Sequence, residues 1–331
     1  QDRDIVYSNH DTYVDYVPAV REAVEQIKAD DDGFYRIEKL FHRNVNDPMA
    51  LNIAGLSHSS STLNAKPIQL LKNLGFTSRS HYTRYTGATL ITSSLFGVKY
   101  ELSVDGNTAA DVRAGEEIIV TENELALPIA YLASDNILDL ELTEKDPFAA
   151  QSELLSALIG TSDEYYVRIY DAEMTPENVT QGKTTDGHHS FKVITKGNNA
   201  QLTYEVPIKQ DGALYMYLPS VYERTVNLWV NGESQGQYFE GDNNYLRNLG
   251  EFEAGDTVEV ILTLTKDNLY FTEAQFAQMN NEAVEAALKK LGDMNSATTL
   301  EKLSDSHLKL TVNADYNQNL FTTIPAEGKT G

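Results

Sequence analysis

The sequence predicts a mixed α+β protein. An N-terminal α/β domain, residues 1–160, is followed by an antiparallel, jelly-roll-like β-sandwich domain, residues 161–331, with a C-terminal helix. Before Gly160, helical and strand-like patterns alternate, which favours an α/β layer arrangement. After Gly160, short strand patterns are separated by turn residues, which is typical of sandwiches. A length of 331 residues is sufficient for two domains with their own cores.

The elements of the first domain follow from the spacing of apolar residues and from glycines that end helices. Val20, Val24 and Ile27 recur at helical spacing after Pro18, a residue suited to a first helical turn. Glycine closes several of these patterns because it readily adopts the left-handed conformation found after a helix. The predicted helices are 18–29, 66–73, 88–96 and 147–159, and the predicted strands are 34–41, 98–104, 117–121 and 129–133.

The second domain is predicted from short alternating runs. Asn231-Gly232 between two such runs indicates a hairpin, because both central residues of a type I′ turn need a positive φ. Thr272-Glu-Ala-Gln275 has the pattern of a capping box, which predicts a terminal helix over 272–291. The predicted strands are 165–171, 190–196, 201–208, 213–218, 226–238, 257–265 and 307–313.

The composition excludes several classes of function. A net charge of -23 opposes binding of the chain as a whole to nucleic acid or to an anionic membrane surface. With no cysteine, the chain has no disulfide, no thiolate nucleophile and no cysteine-ligated zinc. No cofactor or metal is predicted, since the acidic run 30–33 lacks the ligand spacing of an EF-hand. No apolar run approaches the ~20 residues that span a bilayer, so we expect a soluble piece of a longer protein.

One segment reverses the acidic character of the chain. Residues 34–103 contain eight lysines and arginines against three acidic residues, so this segment carries +5 and the remainder -28. It also holds the hydroxyl-rich run 55–64. Hydroxyl, amide and basic side chains are suitable donors for phosphate oxygens. The candidate residues for binding an anion or an anionic acceptor are Arg36, Ser57, His58, Ser59, Ser60, Asn64, Lys66, Lys72, Arg79 and Arg84.

The same residues also admit a purely structural interpretation. Arg36 and Lys39 would then pair with acidic loops elsewhere in the chain. The hydroxyl-rich run would only cap a helix that begins near Lys66. The sequence does not decide between this alternative and an anion-binding surface.

Four sequence pieces occur in order over roughly the first third of the chain. They are FYRIE (34–38), GLSHSSSTLN (55–64), LLKNLGF (70–76) and SLFGVKY (94–100). In this order they resemble the extracytoplasmic region of YfhO-family bacterial membrane proteins. The resemblance implies a polytopic protein similar to GT-C glycosyltransferases, which use lipid-linked sugars and decorate cell-envelope polymers such as lipoteichoic acid in Gram-positive bacteria.

The resemblance also implies where the chemistry and the partners lie. A GT-C enzyme has its catalytic acid in a loop at the membrane boundary, so no catalytic residue is assigned to this chain. The implied partners are a cell-envelope glycan or a lipid-linked sugar, together with the protein's own transmembrane region. The implied location is the extracytoplasmic face of the cell membrane.

Aromatic residues of the second domain are candidates for stacking on a sugar. In the run 214–218 the aliphatic residues share one face of the predicted strand, and Tyr215 and Tyr217 share the other. Trp229 likewise lies opposite the aliphatic face of the run 226–230. Flat rings with polar edges suit a pyranose. The alternative is that these rings pack against the first domain or the terminal helix, as aromatic strand residues commonly do.

Catalytic patterns are weak throughout. The run 55–59, Gly-Leu-Ser-His-Ser, lacks the last glycine of a nucleophile elbow. His188 and His189 are adjacent and would point to opposite faces of a strand, so they are poorly placed to share a metal. We therefore expect this chain to be non-catalytic by itself.

Two classes of function remain. The first is the extracytoplasmic domain of a polytopic, glycosyltransferase-like membrane protein that helps to position a lipid-linked sugar or an anionic acceptor of the lipoteichoic-acid type. The alternative is a secreted or surface carbohydrate-binding, lectin-like module. The full-length gene distinguishes them, because many hydrophobic segments support the first class and a lone signal peptide supports the second.

Overall fold

The computed structural model describes residues 10–41, 45–60, 64–79, 81–104, 117–184, 187–220, 222–239, 244–304, 307–313 and 318–324. Within these ranges the helices are α1 His10–Asp30, α2 Asp47–Leu51, α3 Ala65–Asn73, α4 Leu90–Leu95, α5 Pro147–Ile159 and α6 Asn281–Met294. The strands of the N-terminal part are β1 Arg36–Lys39, β2 His58–Ser59, β3 Ser78–Arg79, β4 Tyr82–Thr83, β5 Val98–Val104, β6 Ile118–Glu122 and β7 Ala130–Ala133.

Strands dominate the rest of the chain. They are β8 Tyr166–Ile169, β9 Glu173–Glu177, β10 Val179–Lys183, β11 His189–Val193, β12 Gln201–Pro207, β13 Gly212–Tyr217, β14 Val226–Val230, β15 Glu233–Tyr238, β16 Arg247–Phe252, β17 Thr257–Leu264, β18 Asn268–Phe271, β19 Gln275–Met279, β20 Thr299–Ser304, β21 His307–Thr311 and β22 Asn319–Thr322. The predicted mixed α+β class with an antiparallel sandwich is confirmed.

Two predicted helix starts are wrong. The first helix begins at His10, and Pro18 lies inside it, because buried Val17 continues the apolar pattern on the N-terminal side of the proline. The presumed capping box at 272–275 does not start a helix. Its last residue opens strand β19, whose Phe276 is buried in the sandwich core. Helix α6 begins at Asn281, after Asn280 has capped it by accepting a hydrogen bond from the Ala283 amide.

The first sheet is the mixed layer that alternating elements predict. Strand β1 pairs in parallel with β5, and β6 pairs antiparallel with the other edge of β5. The buried face of α1 covers this sheet, since Val20 and Val24 belong to one apolar cluster with Ile37 and Leu102. Burial of this helix face supplies most of its stability, because an isolated helix of this length is marginal in water.

The sandwich consists of two main antiparallel sheets. One has the order β15-β14-β17-β12-β9 and the other the order β16-β13-β19-β8. Side chains from both sheets form a common core, and the Tyr204 and Phe276 rings meet across it at 5.4 Å. A third sheet, β10-β11-β18, closes one end of this core with Phe191 and Phe271.

The four-stranded sheet of the sandwich is covered on its second face by helices. Tyr215 of β13 and Ala277 of β19 share an apolar cluster with Leu155 of α5 and Leu288 of α6. The C-terminal strand β22 pairs with β7, so the chain returns to its N-terminal part. The division of the chain at residues 160 and 161 stays a prediction.

A close backbone contact joins the run 70–76 to the sandwich. Gly75 accepts a hydrogen bond from the Leu246 amide at 2.8 Å, just before β16 begins. A Cβ on Gly75 would lie 2.8 Å from Leu246 Cβ, and a Cβ on Gly87 would lie 2.1 Å from the Gly75 carbonyl oxygen. Both glycines have positive φ, so this contact requires glycine for its space as well as for its backbone conformation.

We predict that Gly87→Ala destabilises the protein much more than Gly197→Ala. Both glycines have a positive φ, but nothing lies within 4 Å of a Cβ at Gly197. The control variant Gly197→Ala should therefore lose about 1–2 kcal/mol of unfolding free energy from backbone conformation alone. The clash at Gly87 should add about 1–3 kcal/mol. Urea unfolding of both variants measures the difference, and equal losses would show that the close contact does not exist.

Candidate functional site

A buried carboxylate connects two of the recognisable sequence pieces. Glu38 of β1 is 1% exposed and accepts hydrogen bonds from the Leu56 amide, the Ser57 amide at 2.8 Å and the Ser57 hydroxyl at 3.0 Å. The Ser57 oxygen in turn accepts a hydrogen bond from the Tyr85 amide at 3.0 Å. A Cβ on Gly55 would lie 2.9 Å from Glu38 Oε1, so a larger residue at this position would require the carboxylate to shift. We call the bonded groups of Glu38, Leu56, Ser57 and Tyr85 the Glu38 network.

Burial dominates the electrostatics of Glu38. It raises the pKa of the carboxyl above its ordinary value of 4.5, although the hydrogen bonds from Ser57 and Leu56 and the charge of Lys39 act in the opposite direction. Lys39 is also buried, and its ammonium lies 3.5 Å from Asp47 Oδ2. Glu38 and Lys39 of β1 thus contact the segments that contain Ser57 and Asp47, and their role is structural.

Arg36 does not belong to an anion-binding surface, contrary to the sequence prediction. It is 8% exposed, and its guanidinium donates to the Phe96 carbonyl, to Thr323 Oγ1 at 2.7 Å and to the Thr323 carbonyl at 3.2 Å. Burial lowers its pKa to about 10. Arg36 therefore fastens the C-terminal segment to β1. Ser57 is likewise only 3% exposed and serves the Glu38 network instead of a surface site.

The small sheet β2-β4-β3 gathers several of the other candidate residues. His58 and Ser59 lie opposite Thr83 and Tyr82, and Arg79 lies opposite Tyr82 on the other edge. Residues directly opposite one another in an antiparallel pair project from the same face. Ser59, Tyr82 and Arg79 therefore share one face. On the other face Ser78 and Thr83 form a buried hydroxyl pair with oxygens 2.9 Å apart.

Arg84 extends this outer face. It is half-buried, and its guanidinium carbon lies 5.6 Å from the centre of the Tyr82 ring. The His81 ring meets the same tyrosine edge-on at 5.2 Å. Stacking on an aromatic ring restricts the guanidinium, so less conformational entropy is lost when it binds a ligand.

Helix α3 packs beside β3 and β4 and carries two further cations. Lys66 and Lys72 are exposed, whereas Ile68 and Leu71 form the buried face of the helix. The Asn64 side chain accepts a hydrogen bond from the Lys66 amide at 3.0 Å, so it caps the helix, as the structural alternative expects. The backbone amides of Ser59 and Ser60 donate to Asn46 Oδ1 and to the His81 carbonyl.

Lys66, Lys72, Arg79 and Arg84 form the group that we call the basic surface. Within the described parts of the chain, none of these four side chains makes an ion pair with a carboxylate. By contrast, Lys99 of the same positive segment pairs with Asp31 and Glu122. His42, Arg43 and residues 61–63 of the hydroxyl-rich run lie outside the described residues.

The three aromatic candidates of the sandwich do not form one platform. Tyr215 and Tyr217 are 7% and 3% exposed and face the helices α5 and α6, so neither ring can stack on a sugar at the surface. This confirms the alternative interpretation for both tyrosines. Trp229 is 37% exposed on the outer face of the five-stranded sheet, opposite Ile261 and Ser234. It alone stays a sugar-stacking candidate.

A cleft that the sequence did not predict opens at one end of the sandwich. It has a volume of about 380 Å³ and lies among β8, β10, β11, β19 and the residue before α5. Arg168, Tyr170, Gln181 and His189 are among its lining residues. Strand β8 pairs with β19, and the position of β10 and β11 beside its end depends on the tertiary fold, so the sequence could not predict the cleft.

The described residues contain no cluster of three or more histidine and acidic side chains arranged to hold a metal ion. None of the helices in the described part of the chain combines the length and apolar character required to cross a membrane.

Comparisons with known proteins give one match over nearly the whole chain. The family model described as "Bacterial membrane protein YfhO" matches residues 2–328. No curated protein sequence matches the chain.

Several solved structures are similar to about a third of the chain. A family 35 carbohydrate-binding module from Clostridium thermocellum is 11% identical, with 34% of this chain and 96% of that chain covered and a TM-score of 0.25. A module of the same family from Paenibacillus barcinonensis is 9% identical, with 35% of this chain and 98% of that chain covered and a TM-score of 0.26. A Podospora anserina β-(1,4)-mannanase is 14% identical, with 35% of this chain and 27% of that chain covered and a TM-score of 0.25. TM-scores this low support no conclusion about binding.

The raised pKa of Glu38 predicts a specific pH dependence of stability. A native pKa above the unfolded value means that the native state holds the proton more tightly, so this contribution is present at low pH and is lost as the pH rises above 4.5 through the native pKa. Glutamine in the variant Glu38→Gln resembles the neutral carboxyl group and does not titrate, so this variant does not lose stability in the same way as the pH rises. The unfolding free energy of the wild type should therefore fall relative to that of Glu38→Gln, by at most about 1.4 kcal/mol per pH unit.

Urea unfolding between pH 4 and pH 8 measures this difference. Glu164→Gln, at an exposed carboxylate, is the matched control and should give a curve parallel to the wild type. Parallel curves for wild type and Glu38→Gln would contradict the buried, desolvated state of Glu38.

Proposed function

This chain belongs to the YfhO family of bacterial membrane proteins, and from that premise we propose that it works on the extracytoplasmic face of the cell membrane. There it helps to position an anionic cell-envelope acceptor of the lipoteichoic-acid type, or the phosphate of a lipid-linked sugar. The sugar transfer itself belongs to the membrane part of a polytopic, GT-C-like protein. The partners are thus a phosphate-bearing glycan or lipid and the protein's own transmembrane region.

The basic surface is the observation that supports this proposal. A chain with a net charge of -23 carries many more carboxylates than cations. Nevertheless, Lys66 and Lys72 on α3, Arg79 on β3 and Arg84 directly after β4 make no ion pair with a carboxylate among the described residues, and these elements adjoin one another. Such a group offers local attraction for an anion that the rest of the protein repels.

The donor chemistry suits phosphate. A guanidinium presents paired N–H groups that match two phosphate oxygens, and a lysine ammonium adds a mobile point charge. The Arg84 guanidinium already stacks on the Tyr82 ring, and Arg79 lies on the same face of the small sheet. Contacts of this kind are individually weak at a surface, so binding to a repeating polyanion would gain from several phosphates at once.

The alternative function is a secreted or surface carbohydrate-binding module. In such a protein the sandwich would bind glycan without any transferase, and the exposed Trp229 would be its most accessible aromatic ring among the three sequence candidates. The full-length gene separates the two proposals, because the first requires many membrane-spanning segments in the same polypeptide.

We predict that the purified chain binds polyglycerolphosphate weakly and that salt abolishes the binding. The Debye length falls from about 10 Å at 0.1 M to about 3 Å at 1 M salt, which screens an exposed site. The double variant Arg79→Ala/Arg84→Ala should lower the affinity by about tenfold or more. Both side chains lie at the surface of the small sheet, so the melting temperature should change little.

The matched control is Lys289→Ala/Lys290→Ala, which removes the same charge from exposed positions of α6. Isothermal titration calorimetry at low salt gives the affinities. Equal losses in both double variants would show that only net charge matters. Unchanged affinity in Arg79→Ala/Arg84→Ala would contradict the basic surface as the site.

A further inference from the structure

The cleft at the end of the sandwich has the features of a small-molecule site. Its volume of about 380 Å³ lies near the lower end of the usual range of about 300–1,000 Å³ for such sites. One or two sugar rings fit a space of this size, whereas a folded partner does not. Apart from Asp146, the lining residues lie in the second half of the chain, and none of them belongs to the basic surface.

An aromatic ring stands at the cleft without a packing role. Tyr170 follows β8 and is 82% exposed, although the residue before it, Ile169, is buried in the sandwich core. In the same lining the buried Phe191 and Phe271 rings stack at 5.0 Å and give the cleft an apolar surface. An exposed ring beside an apolar surface matches the C–H face of a pyranose.

Two polar side chains of the cleft lining, on β10 and β11, form a pair. The Gln181 amide nitrogen donates to His189 Nδ1 at 3.1 Å, so Gln181 Oε1 and the second ring nitrogen of His189 have no bond within the described part of the chain. The Gln275 oxygen, in the wall between β8 and β13, also has no hydrogen-bond partner among the described residues. Donors and acceptors in one small space suit hydroxyl groups, which act as both.

The charges in the cleft argue against an anionic ligand. The Arg168 guanidinium is already paired with Asp146 at 2.6 Å and lies 4.7 Å from the centre of the Phe148 ring. Glu273, in the same lining, adds a negative charge that no described cation pairs with. A phosphate would therefore meet repulsion here, whereas a neutral sugar would not.

We propose that this cleft binds one or two neutral hexose or N-acetylhexosamine residues. The Tyr170 ring stacks on the sugar face, and Gln181 and His189 form hydrogen bonds with its hydroxyl groups. The site is separate from the basic surface, so the chain would recognise the sugar and the phosphate parts of a glycan at two places.

The test uses the whole chain and a fixed set of probes. These are glucose, galactose, mannose, N-acetylglucosamine, N-acetylgalactosamine and their disaccharides, titrated while the amide and histidine resonances are followed by NMR. We expect at least one neutral saccharide to shift the signals of Gln181 and His189, with an affinity that does not depend on salt. Tyr170→Ala should weaken this binding about tenfold or more, and Tyr170→Phe should retain it because the ring remains.

Tyr222→Ala is the matched control, since Tyr222 is a 51% exposed tyrosine outside the cleft lining. Tyr170 is largely exposed, so its variants should fold, and circular dichroism verifies this. The proposal is overturned if no probe binds more tightly than a Kd of about 10 mM, or if Tyr170→Ala binds as well as the wild type. Neutral-sugar binding should survive in Arg79→Ala/Arg84→Ala, which keeps this outcome distinct from failure of the basic surface.

Discussion

The buried carboxylate of Glu38 is the interaction on which the N-terminal part of this protein depends. It lies on β1, which pairs in parallel with β5, and accepts hydrogen bonds from both amides and the hydroxyl of the segment Leu56-Ser57. A buried carboxylate without such donors would be strongly destabilising, and the donors without it would be left unpaired. The Ser57 oxygen also accepts a hydrogen bond from the amide of Tyr85, the residue after Arg84 of the basic surface. Core and surface are thus joined by one chain of hydrogen bonds.

This arrangement gives the sequence pieces two different tasks. Glu38 and Ser57 are inside and hold the loops, whereas Arg79 and Arg84 are outside and free of carboxylates among the described residues. The Glu38 carboxylate and the Ser57 hydroxyl form their hydrogen bonds within the protein. The proposed function depends on Lys66, Lys72, Arg79 and Arg84, which make no ion pair among the described residues.

Much of the fold was predictable because it follows from local patterns. Apolar periodicity located α3 and α5 to within one residue, and strand alternation located β5, β12 and β17 nearly as well. The start of α6 was missed because a capping pattern cannot reveal that Phe276 is needed in a sheet. The candidate site was predicted only in part. Arg36, Tyr215 and Tyr217 have ordinary surface or alternating patterns, and their burial depends on segments far away in sequence, Thr323 for the arginine and α5 and α6 for the tyrosines.

Amide hydrogen exchange tests the Glu38 network most directly. In the wild type, the amides of Leu56, Ser57 and Tyr85 should exchange as slowly as those of the buried strands, because each donates to a buried oxygen. Ser57→Ala removes only the hydroxyl, so it should speed exchange at Tyr85 while the Leu56 amide stays protected by Glu38. Rapid exchange at all three amides in the wild type, or unchanged exchange at Tyr85 in Ser57→Ala, would contradict the network.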